Sequence, residues 1–152
     1  MTKLIKTYIR NILSEKKIKR PSAGIVVIKR CNDEWRFLGL KLYGKYDLPK
    51  GHIQSTDKNE LSAAMREVEE ETGITDLNFN WGLISITVKH VTLFMAQTDE
   101  DCIIKRNPDT NIYEHHGHKW VTYDEMLANV SRYLVPAVKW AKDVLDNDAQ
   151  QR

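Results

Sequence analysis

One stretch limits what this chain can become: Leu48–Ile74, LPKGHIQSTDKNELSAAMREVEEETGI. It opens with a Pro-Lys-Gly-His turn, crosses a polar loop and enters a run of helical periodicity that ends at Gly73. Asp57 or Asn59 is placed to cap the helix start, and Asp57 with Glu60 has capping-box spacing. Gly73 is expected in the left-handed conformation just past the last turn. Leu61, Ala64, Met65, Val68 and Thr72 share one arc of the 3.6-residue wheel and read as the buried face.

Glu67, Glu70 and Glu71 fall on a neighbouring arc. At spacings of three and four residues they repel, each such pair costing a helix roughly 0.2–0.5 kcal/mol. Two readings are open. The carboxylates form a solvated acidic face, or they converge on a hard divalent cation, which takes oxygen ligands.

The chain has 152 residues, a length that suits one domain with its own core. Its net charge of +2 hides an asymmetry. The first twenty residues carry seven basic side chains against Glu15 alone, net +6, which leaves the remainder at −4. That balance argues against a protein that coats nucleic acid. Cys31 and Cys102 have no CxxC spacing, so neither a disulfide framework nor a zinc ribbon is indicated, and a reducing cytoplasm is the expected compartment. No apolar run approaches the roughly 18 residues of a membrane span, and a membrane partner is not expected.

Residues 2–19 repeat apolar pairs every four positions (Leu4/Ile5, Tyr8/Ile9, Ile12/Leu13) and predict an amphipathic helix, ended by Pro21. Residues 1–20 are thus expected to be a helical extension and 21–152 the main domain. Such a helix packs its stripe on its own domain, or lies on a membrane or RNA. Ala23–Lys29 predicts a buried strand and Trp35–Leu42 a half-buried one, joined by an Asn32-Asp33 turn. Trp81–Val88 and Val91–Gln97 predict a second pair, with His90 as a turn residue. Thr98–Thr110 is a polar loop; Trp120-Val121 predicts a last strand. Asp124 caps a short helix, and Val135–Leu145 forms a closing helix with Pro136 in its first turn, followed by a frayed tail. Strands interleaved with two core-packing helices indicate an α/β layered domain.

Glu114-His115-His116-Gly117-His118-Lys119-Trp120 is a second constellation. Three histidines in four residues suggest zinc, but on an extended segment alternate side chains face opposite ways and cannot share one ion. The other reading is a surface loop.

The helix half, Arg66-Glu67-Val68-Glu69-Glu70-Glu71-Thr72-Gly73-Ile74, preceded by Gly51, resembles the signature of the Nudix hydrolases. Every fixed letter of the family's RE-U-x-EE-x-G-U pattern, with U aliphatic, is matched. The loop half departs from the pattern. It is one residue longer between Gly51 and Arg66, and Asp57 stands where the family has a glutamate that steadies the arginine.

The resemblance covers about residues 22–145 and implies a Nudix α/β/α sandwich with a mixed sheet, here with the N-terminal helical extension added. Within the family, the LPKGH turn, Val91–Ala96 and the matches at Glu114, His115 and Trp120 are most similar to the asymmetric diadenosine tetraphosphate hydrolases. His118 and Lys119 replace that subfamily's Tyr and Arg.

The resemblance implies metal-dependent hydrolysis of a phosphoanhydride bond in a nucleoside diphosphate derivative, with Mg²⁺ (or Mn²⁺) as cofactor. Glu67, Glu70, Glu71 and Gly51 would hold the metal, and Glu70 or Glu114 would take the proton from the attacking water. Lys50, His52 and His115 are placed to meet substrate, and Tyr43 or Tyr46 to stack on a base. A dinucleoside polyphosphate is the expected substrate; RNA 5′ ends, ADP-ribose and FAD are the alternatives. A Nudix-like module that senses nucleotides without cleaving them would usually lose a box carboxylate, and this chain keeps all three.

Overall fold

The computed structural model describes residues 20–101 and 103–151. The sequence-predicted N-terminal helix lies outside these residues. Among them seven strands form one mixed sheet: β1 (Ser22–Cys31), β2 (Glu34–Leu42), β3 (Lys45–Asp47), β4 (Lys50–His52), β5 (Ser85–Val88), β6 (Val91–Gln97) and β7 (His118–Val121). The main path runs β3-β2-β1-β6-β5, while β4 pairs with β1 and β7 with β2. Among the described residues there are three α-helices: α1 (Glu60–Thr72), α2 (Tyr123–Asn129) and α3 (Val135–Gln151).

The core follows from the two-residue period of the central strands. On β1 and β6, Ala23, Ile25, Val27, Phe94 and Ala96 meet Ala63, Ala64 and Val68 of α1 in one cluster. Their neighbours Val26, Ile28, Leu93 and Met95 point the other way, to Met126 of α2 and Ala137, Val138, Ala141 and Leu145 of α3. Burial on both faces is why β1 reads as an unbroken apolar run. The result is the expected α/β/α sandwich. Among the described residues no helix is long and apolar enough to cross a membrane.

The β1 edge positions the site. Its first half pairs with β4 (Ala23 opposite Gly51) and its second half with β2 (Ile28 opposite Phe37), so the two strands share this edge and Gly51 lies at its start. β6 runs parallel to β1 on the other edge, Ala23 opposite Thr92.

Several sequence expectations are corrected. Of the two expected caps of α1 it is Asn59 that serves, its side chain accepting from the Ser62 amide at 2.8 Å, while the Asp57–Glu60 capping box does not form because Asp57 is engaged elsewhere. Met65 is exposed and Ala63 is buried in its stead, a rotation of the buried arc that seats small side chains against β1. Thr122 rather than Asp124 caps α2, in a reciprocal capping box with Glu125. The strand expected from Trp81 begins only at Ser85. The tail expected to fray is helical to Gln151. Gly73 takes the left-handed conformation (φ 75°) and its amide donates to the Glu69 carbonyl, as expected of a helix stop.

Candidate active site

Three elements meet beside Gly51: the β3–β4 turn, α1, and the loop over residues 103–117. Gly51 faces α1 so closely that a Cβ there would collide with the Glu67 carboxylate. That approach, not a special φ, is what demands glycine. It also buries Glu67, whose carboxyl is pushed up by burial and by Glu70, with Arg66 pulling the other way.

Arg66 organises the acidic cluster. Its Nε and Nη2 donate to Asp57 Oδ1 and Oδ2 at 2.9 and 3.0 Å, and Nη2 also to the His52 carbonyl at 3.1 Å. Nη1 donates to Glu67 at 3.0 Å and Glu70 at 3.1 Å. One guanidinium thus fixes the loop, two box carboxylates and the β4 backbone. The repulsion expected between Glu67 and Glu70 is offset from within the helix.

Glu71 is left out of that network. Its Oε2 is buried and has no hydrogen-bond partner among the described residues. Burial first, then the charges of Glu67, Asp47 and Glu114, push its carboxyl well above the usual range. Glu67, Glu70 and Glu71 line a cavity of about 20 Å³ together with Lys105, Asn107, Pro108, Glu114 and His115. A space of that size admits one ion or water. Ligand atoms of Glu71, Glu114 and His115 lie within 4.8 Å of one another. An orphaned buried carboxylate oxygen in an ion-sized, oxygen-rich cavity fits a divalent cation.

The remaining residues singled out in the sequence are placed as follows. Glu114 is exposed, and its Oε1 accepts from the Asn107 amide within the same loop. His115 is 5% exposed, its Nε2 3.0 Å from Asp47 Oδ2. Lys50 Nζ is held by Asp47 at 3.1 Å and lies 5.9 Å from the Tyr133 ring centroid. Burial works against the Lys50 charge, but Asp47 and Tyr133 outweigh it and raise its pKa. His52 is exposed beside Ser22 (Nδ1–Oγ 3.2 Å); burial, then Arg20, His90 and Lys50, depress its pKa. The Tyr46 ring packs under Gly39 and lines a different cavity, with Lys41 and Asn129. Tyr43 is 85% exposed and meets the His116 ring edge-on at 5.1 Å.

The three histidines take separate partners on a segment that bends over residues 114–116 and becomes a strand only at His118, not the extended stretch expected. His115 goes to Asp47, His116 to Tyr43, and His118 to Asp101 at 3.2 Å. The loop is tied to β2 by two backbone bonds, His116 N to the Lys41 carbonyl and Lys41 N to the Gly117 carbonyl. Asp47 and Asn107 are site residues that sequence reasoning missed. A partner 68 residues away leaves no local signal for Asp47; for Asn107 the Asn-Pro turn was the only mark.

A family model described as the NUDIX domain matches residues 18–142, spanning both the box helix and the second loop. The chain belongs to the Nudix family. The Caenorhabditis elegans Ap4A hydrolase in a binary complex is a similar solved structure. Its TM-score is 0.67 at 20% identity, covering 84% of this chain and 98% of that one. The NUDIX domain of Shewanella oneidensis NrtR, solved with ADP-ribose, has a TM-score of 0.61 at 15% identity and covers 95% and 99%. These likenesses concern the fold. A 17.7 kDa protein of the e-segB intergenic region of Enterobacteria phage T4 is 36% identical over 72 residues, 43% of this chain. The match spans about half (48%) of that curated relative's length.

Proposed function

We propose that this Nudix chain is a metal-dependent hydrolase that cleaves a phosphoanhydride bond in a nucleoside diphosphate derivative by direct attack of water. The observation that carries this reading is the convergence of Glu67, Glu70, Glu71 and Glu114 on one ion-sized cavity. Glu67, Glu71 and Gly51, with Glu70, would hold Mg²⁺ or Mn²⁺. When bound, the cation neutralises phosphate oxygens and orients the attacking water.

The chain's own residues divide the remaining work. Arg66 keeps Glu67 and Glu70 in place. Glu114, exposed at the cavity mouth, or Glu70 accepts the proton of the water. His52 is exposed beside Gly51 and is open to meet a phosphate oxygen, whereas Lys50 is held by Asp47 and serves to fix the turn more than to contact substrate.

Among substrates we favour a dinucleoside polyphosphate such as diadenosine tetraphosphate. The LPKGH turn and the Glu114-His115 pair support this choice, as does the likeness to a C. elegans Ap4A hydrolase. The likeness to a NUDIX domain solved with ADP-ribose supports ADP-ribose as the second reading. A cytoplasmic setting follows from the two cysteines without paired spacing. Product analysis on dinucleoside polyphosphates, ADP-ribose, FAD and triphosphorylated RNA, with Mg²⁺ or Mn²⁺, tests the assignment. Cleavage of ADP-ribose or RNA alone would overturn the substrate choice, and full turnover in excess chelator would overturn the metal reading.

A further inference from the structure

We propose that His115 is a nitrogen ligand of the divalent cation, oriented for that role by Asp47; this rests on the hydrolase reading above. His115 is 5% exposed, between exposed Glu114 and exposed His116. A ring taken out of water needs a partner for its N–H. Its Nε2 lies 3.0 Å from Asp47 Oδ2, and a carboxylate accepts. Asp47 also accepts from the Leu48 amide at 2.9 Å and from Lys50, a donor set that keeps it ionised. With Nε2 turned to Asp47, Nδ1 is the ring atom left to offer a lone pair to a cation.

The rest of the geometry supplies a use for that lone pair. His115 lines the same cavity of about 20 Å³ as the box carboxylates. A ring nitrogen of His115 and oxygens of Glu71 and Glu114 fall within 4.8 Å of one another, and Glu71 Oε2 is buried without a partner. A histidine whose far nitrogen donates to a carboxylate is the arrangement that fixes metal-bound imidazoles. The all-oxygen set read from the helix alone becomes a mixed one. Mg²⁺ gains little from an imidazole, whereas Mn²⁺ and the later divalent ions do.

The test uses the full chain loaded with Mn²⁺, read by pulsed electron paramagnetic resonance, with isotope-labelled histidine to identify the nucleus. The expected spectrum shows coupling to one histidine nitrogen. In His115→Gln the coupling disappears and Mn²⁺ affinity falls about 10-fold or more. Mg²⁺ affinity changes less than about threefold, since Mg²⁺ relies on oxygen ligands.

Should His115→Gln fail to fold, the wild-type spectrum alone decides. Mn²⁺ bound without histidine coupling in the wild type overturns the inference and leaves the hydrolase reading standing, as does a His115→Gln protein with unchanged coupling. A wild-type protein that binds Mg²⁺ but not Mn²⁺ overturns the inference alone, and one that binds neither overturns both.

Discussion

Arg66 and Asp57 meet at two points, Nε on Oδ1 at 2.9 Å and Nη2 on Oδ2 at 3.0 Å, across nine residues of chain. Asp57 also accepts from the Gln54 amide at 2.8 Å, which folds the loop back on itself. The loop is one residue longer than the family pattern and its acid one methylene shorter, yet both Asp57 oxygens still reach Arg66. Arg66, so anchored, presents Nη1 to Glu67 and Glu70.

Asp57→Ala should therefore misplace two carboxylates without touching them, lowering kcat on the order of 10²-fold, the scale of a 1 Å misplacement. Asp57→Glu should recover only part of the loss, because the longer acid overshoots in the longer loop. Steady-state kinetics on both variants decides. Wild-type turnover by the alanine variant would mean that Arg66 holds its position unaided.

Asp47 makes stability depend on acid. Burial pushes its carboxyl up, but the bonds from His115 and Lys50 outweigh it and hold the pKa below its usual range. A depressed pKa stabilises the fold fully above the unfolded value of about 3.9, and that contribution is lost as pH falls through the lower folded value. Asp47→Asn should cost about 3 kcal/mol at pH 7, since Lys50 is left enclosed without its counter-charge. Urea unfolding of both proteins should show the gap constant above about pH 5 and closing below about pH 4. A gap that persists unchanged to low pH would assign the loss to packing instead.

Glu71→Gln should separate stability from catalysis. The carboxylate is buried, lacks a partner for Oε2 and has a raised pKa, so its removal relieves a cost. The melting temperature of the metal-free protein should hold or rise while kcat falls by at least about 10²-fold. The same raised pKa predicts that metal binding displaces a proton from the wild-type protein. Calorimetric Mg²⁺ titrations in buffers of different ionisation enthalpy should show proton release, and Glu71→Gln should reduce it. Unchanged release in the variant would place the proton elsewhere.

Glu114 reaches the cavity only through its loop, which Asn107 braces from within. If it accepts the water's proton, Glu114→Gln should lower kcat strongly with KM for diadenosine tetraphosphate nearly unchanged, the pattern of an interaction made in the transition state. The acidic limb of the pH-rate profile should shift or vanish with it. Asn107→Ala should reproduce the effect more weakly. A raised KM with kcat preserved in both would make the segment a substrate clamp instead.

The sequence by itself determined the layers of the fold and the box helix, because both are written in local periods. β1 and β6 are carried by short apolar runs, α1 has its Gly73 stop, and Glu67, Glu70 and Glu71 fall on one arc through spacing alone. Gly51 and Glu114 were also legible there, by resemblance. Tertiary structure decided which of these groups are neutralised and which are left wanting. Arg66 takes Glu67 and Glu70 but cannot reach Glu71, a matter of side-chain direction on the helix surface. His115 finds Asp47 across 68 residues, turning a turn-strand aspartate into the support of a distant loop. Such pairs depend on how the β3–β4 turn and the second loop pack on either side of one cavity. Neither segment carries a period that announces the other, so the chemistry between them became visible only in three dimensions.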